Sequence, residues 1–369
     1  MTKIVLVSSL QSTATAVYFA KALREASSSV LVISDIPDPL VDVVVGEYFD
    51  LPTVLKKFSF EPDLLLFIEG GTMRLLPMGL EKLECITAWY AIDSHTDYKK
   101  HLYLSRLFDV TFVAQQEYLY KLTKDGVRSV YWLPLACEPS IYPGESLTRK
   151  WDIAYVGSSD PLVHPVRHQL LDALSKSFPK LWRGRASVQE MGRVYSQSHL
   201  VFNKSLNNDI NMRFFEAMGS GAVLLTDPVS NNGVDELFQK NEHYFEYHDK
   251  EELLELVKKL LSDPGKLEKL GAASKAWVLK NHTYAHRVQN IIEIVSGATK
   301  LSNSPTQDDY LLVMKSLRLD GAFLYHLGRS YALSQGSVRQ KLFGMIIAIN
   351  CYLIALIIGT LEWFCIRRH

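Results

Sequence analysis

The stretch from Arg213 to Asp227, RFFEAMGSGAVLLTD, holds the residues whose types and spacing best support chemistry. A helix is expected to begin near Asn211, and Gly219 with Gly221 stops it and turns the chain into a buried strand. Free N–H groups at the start of such a helix, with the helix dipole behind them, form an anion site. Arg213 and Glu216 stand three residues apart and share a helical face. Together they suit a nucleoside diphosphate, the guanidinium on phosphate and the carboxylate accepting from both ribose hydroxyls. The same spacing also makes a plain surface ion pair ahead of an ordinary helix-to-strand turn.

Such a pair needs elements that carry it to a cleft, and the chain reads as two α/β halves. In the first, the β-branched runs Ile4–Val7, Val30–Ile33, Leu64–Ile68, Ile86–Ala91, Val110–Val113 and Val130–Leu133 are expected strands. Helices are expected over 13–26, 98–107 and 116–124. Buried runs separated by helices imply a parallel sheet covered on both faces. Ligands of such sheets bind beyond the carboxyl ends of the strands. Polar residues and glycines collect there: Ser8-Ser9, Glu69-Gly70-Gly71, Asp93-Ser94-His95 and Gln115. The proline-rich stretch Pro134–Pro143 then reads as a hinge. A second alternation follows, with strands at 153–156, 200–202, 222–226 and 244–247 and helices at 164–177, 250–261, 264–281 and 282–296. The expected domains are 1–138, 139–298, a linker with an amphipathic juxtamembrane segment over 299–341, and a transmembrane helix over 342–366.

Composition bounds the partners. The chain has 369 residues, with 40 Lys and Arg against 40 Asp and Glu. A neutral balance argues against a coat for nucleic acid, which needs a basic surface. Four cysteines, none in C-x-x-C, argue against a disulfide scaffold and against a zinc site. The neutrality is a cancellation: residues 1–150 hold 15 basic and 18 acidic side chains, whereas 301–369 hold 7 and 4. That basic tail contains LFGMIIAINCYLIALIIGTL (342–361), about the length that spans a hydrocarbon core. Trp363 and Arg367-Arg368 follow it, and Lys315, Arg318, Arg329, Arg339 and Lys341 precede it, which places the bulk of the chain in the cytoplasm. A buried core helix is the alternative. After Lys3 the apolar run is only four residues, too short for a secretory signal. Residues 310–333 repeat apolar positions at helical spacing, as a helix on the membrane face would, or one docked on the second domain.

Residues 213–227 resemble the nucleotide-sugar motif of GT-B glycosyltransferases, in particular the CgeB-like family with its R-x-x-E-A-x-x-x-G-x-x-L-x-T-D pattern. The segments WDIAYVGSS (151–159), SHLVFNKS (198–205), YAHRVQNII (284–292), AWYAIDS (88–94), FDVTFVAQ (108–115) and WLPLACEP (132–139) are similar to the same family, in order, over about residues 60–296. The resemblance implies an α/β fold of GT-B type, two Rossmann-like domains facing a cleft, joined here to the C-terminal membrane helix.

Carried over, it implies that Gly157-Ser158-Ser159 let backbone N–H groups approach the donor phosphates. Arg167 and Arg213 would compensate the diphosphate, Glu216 would hold the ribose, and Asn203 and Asp227 would contact base or sugar. No metal or other cofactor is required by the motif, since the arginines supply the charge. A glutamate common eight positions before the ribose glutamate is replaced by Asn208, with Asp209 beside it. Asp93 and His95 fall where the family places acceptor-side polar groups, and either could deprotonate the acceptor in an inverting reaction. A helix N-cap by Asp93 or Ser94 is the plainer alternative. An Asp93-x-His95-x-Asp97 metal cluster lacks a further acidic ligand. Glu69-Gly70-Gly71 either admits the acceptor or simply turns the strand end. The expected protein is a membrane-anchored glycosyltransferase with a nucleotide-sugar donor and an unidentified acceptor, lipid-linked or protein. A nucleotide-sugar epimerase and a non-catalytic nucleotide-binding scaffold at the membrane are the competing readings.

Overall fold

A computed structural model describes residues 2–11, 15–27, 29–70, 75–143, 147–301 and 304–317. The first half runs β1 (Ile4–Val7), α1 (Thr15–Ala26), β2 (Val30–Ser34), β3 (Val43–Val44), β4 (Tyr48–Asp50), α2 (Leu51–Lys57), β5 (Leu64–Ile68) and β6 (Leu76–Met78). It continues through β7 (Ile86–Ala91), α3 (Tyr98–Ser105), β8 (Val110–Val113), α4 (Gln116–Lys124) and β9 (Val130–Trp132). Seven of these strands form one sheet in the order β3-β2-β1-β5-β7-β8-β9, and every pairing in it is parallel. β4 and β6 pair separately.

The second half holds β10 (Trp151–Val156), α5 (Pro165–Ser177), β11 (Leu181–Gly184), α6 (Val188–Ser196), β12 (Ser198–Phe202), α7 (Met212–Ser220) and β13 (Val223–Thr226). After these come α8 (Val234–Leu237), β14 (Tyr244–Glu246), α9 (Lys250–Leu261), α10 (Pro264–Asn281) and α11 (Tyr284–Ser296). Its parallel sheet runs β11-β10-β12-β13-β14.

Each central strand is apolar on both faces, and the strand period of two sends alternate residues into different cores. Val5, Val7, Leu65, Phe67 and Trp89 meet α3 and α4 on one side of the first sheet. Ile4, Leu6, Leu64, Leu66 and Tyr90 meet α1 on the other. That second core continues without a break through α11 and residues 133–141 into the inner face of the second sheet and α7. The two domains therefore share a core on the side where the chain crosses between them.

The crossings are stapled together. The Cys137 N–H donates to His282 O at 2.8 Å, and the Tyr284 N–H donates to Cys137 O at 3.2 Å. Arg287 of α11, 4% exposed, donates from Nε to Pro134 O at 2.7 Å and from Nη2 to Leu135 O at 3.1 Å. α11 belongs by sequence to the second half but packs on α1 of the first. The chain then stays with the first domain: the Leu301 N–H donates to Asp109 Oδ1 at 2.8 Å. Residues 307–317 form a helix that buries Tyr310, Val313 and Leu317 in the first domain's core. The docking of residues 310–317 is thus on the first domain rather than the second. The expected membrane helix over 342–366, with the rest of the juxtamembrane segment, lies outside the described residues. Among those described, no helix is long and apolar enough to cross a membrane.

Candidate active site

Between the domains lies a cleft of about 520 Å³, lined from the strand ends of both sheets. The first domain contributes Glu69 after β5, Asp93 after β7 and Gln115 after β8. The second contributes Arg167 from α5, Asp209 from the loop before α7, and Arg213 and Glu216 from α7 itself. This is where a parallel sheet leaves its strand-end N–H groups and loops open to a ligand.

α7 is cut where the sequence places it. Asn211 caps its start, Oδ1 accepting from the Arg213 N–H at 3.2 Å, and the helix ends at Gly221. Arg213 and Glu216 do not pair with each other, so the surface ion-pair alternative fails. Arg213 instead reaches inward and donates Nη1 to Asn203 Oδ1 at 2.7 Å, Nη2 to Val156 O at 2.9 Å and Nε to Tyr195 Oη at 3.2 Å. Its guanidinium carbon lies 4.7 Å from the centroid of the Tyr155 ring, a cation–π contact that needs the planar charge of arginine. A guanidinium has five N–H donors. Three are spent on this frame, leaving two.

Glu216 is 9% exposed, and its carboxylate has no hydrogen-bond partner among the described residues. Burial pushes its carboxyl up to about 7, against the pull of Arg213. Its oxygens line the cleft, where they are free to accept from a ligand hydroxyl. Arg167 is a similar case: Nη2 donates to Lys204 O at 3.0 Å and Nη1 to Ser158 O at 3.3 Å, while its buried Nε has no partner.

Other expected site residues stand behind the cleft rather than in it. Asn203 is fully buried, its Oδ1 held by Arg213 and Asn211 and its Nδ2 donating to Thr226 Oγ1 at 3.0 Å. It positions Arg213. Asp227 accepts from Lys204 Nζ, from the Ser205 N–H and from Ser205 Oγ, each at 2.6 Å, so it locks the loop after β12 instead of facing base or sugar. In the loop 157–159 one of the three N–H groups is already engaged. The Gly157 N–H is used by Gly184 O at 2.8 Å, Ser158 O accepts from Tyr155 Oη at 2.8 Å, and Ser159 Oγ accepts from Arg183 at 3.0 Å. Gly157 is required by its neighbours: at φ 147° a Cβ would sit 3.0 Å from Arg213 Nη2 and 3.0 Å from Tyr155 Oη. Gly157 thus makes room for the arginine.

On the acceptor side, α3 is capped by Asp97, whose side chain accepts from the Lys100 N–H at 3.2 Å, and not by Asp93 or Ser94. Among the described residues no group of three His, Cys, Asp or Glu is placed to hold a metal ion. Asp93 opens onto the cleft. The protein around it, then the charges of Glu69 and Asp209, push its carboxyl upward, an effect that solvent weakens at this exposed side chain. His95 does not line the cleft; its carbonyl accepts from Asn207 Nδ2 at 3.2 Å, and its Nδ1 is buried without a partner. Burial lowers its imidazole below the usual value.

The turn carrying Asp93 is held by Glu69, a side chain the sequence marked only as part of a glycine turn. Glu69 Oε2 accepts from the Ile92 N–H at 2.6 Å and the Asp93 N–H at 2.8 Å. Its Oε1 lies 3.1 Å from Nε2 of fully buried His101, whose Nδ1 lies 2.9 Å from Ser94 Oγ. Gly70 serves packing, since a Cβ there would meet Ser9 O at 2.8 Å. Gly71 lies outside the described residues.

Two residues that the sequence marked only by position take specific partners. Gln115 latches the domains: its Oε1 accepts from the Ile210 N–H at 2.8 Å and its Nε2 donates to Ile210 O at 3.2 Å. Asn208, in the place of the expected glutamate, turns away to Ser230, accepting its N–H at 2.8 Å and donating to its carbonyl at 2.6 Å. The carboxylate brought into the cleft is Asp209, 6% exposed, with Oδ1 accepting from the Leu206 N–H at 2.5 Å.

Comparison with known proteins agrees with this geometry. Residues 147–293 match the family model described as glycosyl transferase-like. No curated protein sequence matches the chain. Among solved structures, HepE of Anabaena in complex with UDP and glucose is similar over 80% of this chain and 100% of its own, at 12% identity and a TM-score of 0.61. A sucrose-phosphate synthase from Thermosynechococcus elongatus is similar over 80% and 98%, at 10% identity and 0.55. A glycosyltransferase from Rickettsia africae is similar over 80% and 98%, at 11% identity and 0.54. The fold is the GT-B arrangement, and the matched domain on that fold defines the class: a glycosyltransferase.

Proposed function

We propose that the protein moves a sugar from a UDP-sugar donor to a hydroxyl acceptor in the cleft. The observation that carries the reading is Glu216: a buried carboxylate without a partner, one helical turn from an arginine and facing the opposite domain. Its two oxygens accept the two ribose hydroxyls, and the remaining donors of Arg167 and Arg213 take the diphosphate. In the transfer, the acceptor oxygen forms a bond to the anomeric carbon as the bond from that carbon to the diphosphate oxygen breaks. The acceptor proton passes to Asp93, and the nucleoside diphosphate leaves with its charge held by the arginines. HepE, which shares the fold, is solved with UDP and with UDP-glucose, which supports uridine as the base. The motif of residues 213–227 supports the closer CgeB-like affinity. The apolar run over 342–361 supports a tether that holds these domains at the cytoplasmic membrane face.

The test is a thermal-shift panel of UDP-, GDP-, CMP- and dTDP-sugars followed by release of nucleotide from whichever stabilises the protein. UDP-sugars are expected to raise the melting temperature and to be turned over. No stabilisation by any nucleotide sugar would remove the donor reading, and binding without turnover would favour a scaffold.

A further inference from the structure

Behind the cleft wall of the first domain, three polar side chains follow one another. Ser94 Oγ lies 2.9 Å from His101 Nδ1, and His101 Nε2 lies 3.1 Å from Glu69 Oε1. The order serine, histidine, carboxylate is that of a nucleophile with its base, but Ser94 is 1% exposed and His101 fully buried, so no substrate reaches either. The series acts instead on the turn after β7. Glu69 Oε2 accepts from the N–H groups of Ile92 and Asp93, and the Asp93 carbonyl accepts from the Thr96 N–H at 2.9 Å and from Thr96 Oγ1 at 2.8 Å. The backbone of Asp93 is gripped on both sides while its exposed side chain stands in the cleft. Burial alone would raise the Glu69 carboxyl, but the charge of His101 and the two N–H groups bring it below the usual carboxylate range. The 3.1 Å contact is off the line of a hydrogen bond, so charge rather than direction joins the two. A buried ion pair is weak support for a fold, which apolar side chains hold as well. What this one adds is its hold on the turn.

Resting on the reading of Asp93 as the base for the acceptor, we infer that Glu69 and His101 are positioning residues for the transfer: Glu69 aims Asp93 into the cleft through its backbone, and His101 supplies the positive charge that offsets Glu69 behind it. Among the described residues, the charged groups that face Asp93 are Glu69 from the end of β5, Lys100 and His101 from α3, and Asp209 from the loop before α7. Lys100 is itself engaged by Asp97 at 3.5 Å. Burial raises the Asp93 carboxyl, Glu69 and Asp209 add to that, and His101 and Lys100 oppose it. A base must be ionised before it can take a proton. Without His101, Glu69 keeps its two N–H donors and acts on Asp93 unopposed. Without both, neither charge is left behind the turn.

The test reads Asp93 directly, by carboxyl-carbon NMR of the full chain with labelled aspartate, the resonance identified by its loss in Asp93→Asn. In His101→Gln the Asp93 midpoint is expected to rise by about half a pH unit, the effect of one uncompensated charge behind a partly solvated turn. In the double variant Glu69→Gln with His101→Gln it is expected to return to the wild-type value or below. With UDP-sugar and acceptor, the acidic limb of kcat/KM should move with the midpoint. Ring-nitrogen NMR of the wild type, which needs no variant to fold, should show His101 protonated on both nitrogens at pH 6. A midpoint unmoved in His101→Gln, a rise that persists in the double variant, a rate limb that ignores the midpoint, or a neutral His101 at pH 6 would overturn the inference. Failure of UDP to bind or of its sugar to be turned over would strike the donor reading instead, and the midpoints would still judge the pair.

Discussion

Replacing Glu216 by glutamine should stabilise the empty protein and weaken it as a donor-binding site. The carboxyl is lifted by burial from 4.5 to about 7. An acid whose folded pKa lies above its unfolded one opposes folding once it ionises. The loss begins as the pH passes 4.5 and is complete above about 7. At 1.36 kcal/mol per pKa unit, the penalty at pH 8 is about 3 kcal/mol, and at pH 5 it is about 1 kcal/mol. The amide has no charge to desolvate but buries two donors of its own, which returns about 1 kcal/mol of cost. Glu216→Gln should therefore melt several degrees above wild type at pH 8 and close to it at pH 5. Donor affinity should move the other way. Hydrogen bonds to a charged acceptor are worth about twice those to a neutral one, so about 2 kcal/mol, or about thirtyfold in Kd, is lost at pH 8. Scanning calorimetry at the two pH values and titration with UDP measure both. A variant less stable than wild type at pH 8, or one that binds UDP unchanged, would refute the reasoning that Glu216 is held in readiness for a ligand.

Gln115→Leu keeps the volume but removes both bonds to Ile210. The buried N–H and carbonyl left behind should cost about 2 kcal/mol, seen as a lower melting temperature and faster proteolysis between the domains. If the tail is a tether, the full chain should stay with membranes after an alkaline carbonate wash. A chain ending at residue 341 should appear in the soluble fraction with its UDP affinity intact.

The elements that build the site were legible because they are buried. β1, β5, β7 and β8 begin and end where the β-branched runs do, as do α4 and, with their Asp249 and Asp263 caps, α9 and α10. Elements that depend on partners were not. β11 is a half-buried edge strand of four residues, and β3 has two, too little for any period to show. The site divides along the same line. Arg213 and Glu216 sit on one helix, so their spacing fixes their relation. Asp227 was misplaced because strand-end position says nothing of which loop will claim its carboxylate. The role of Gln115 depends on Ile210, 95 residues away, and a latch between domains has no local signature. His101 sits seven residues from Ser94 and on the far side of a turn from Glu69, so their buried chain of contacts emerges only in three dimensions.

The stapled crossings have a consequence for how such a molecule moves. A single connecting segment lets two bodies both swing and twist. Two segments fastened side by side, at Cys137 with His282 and Tyr284, act like a door hung on two pins. A swing about the line through them would have to break the bonds of Gln115 to Ile210, of Gln116 to Glu236 and of Glu117 to Asn232, so the latch and the pins together hold the cleft at one width.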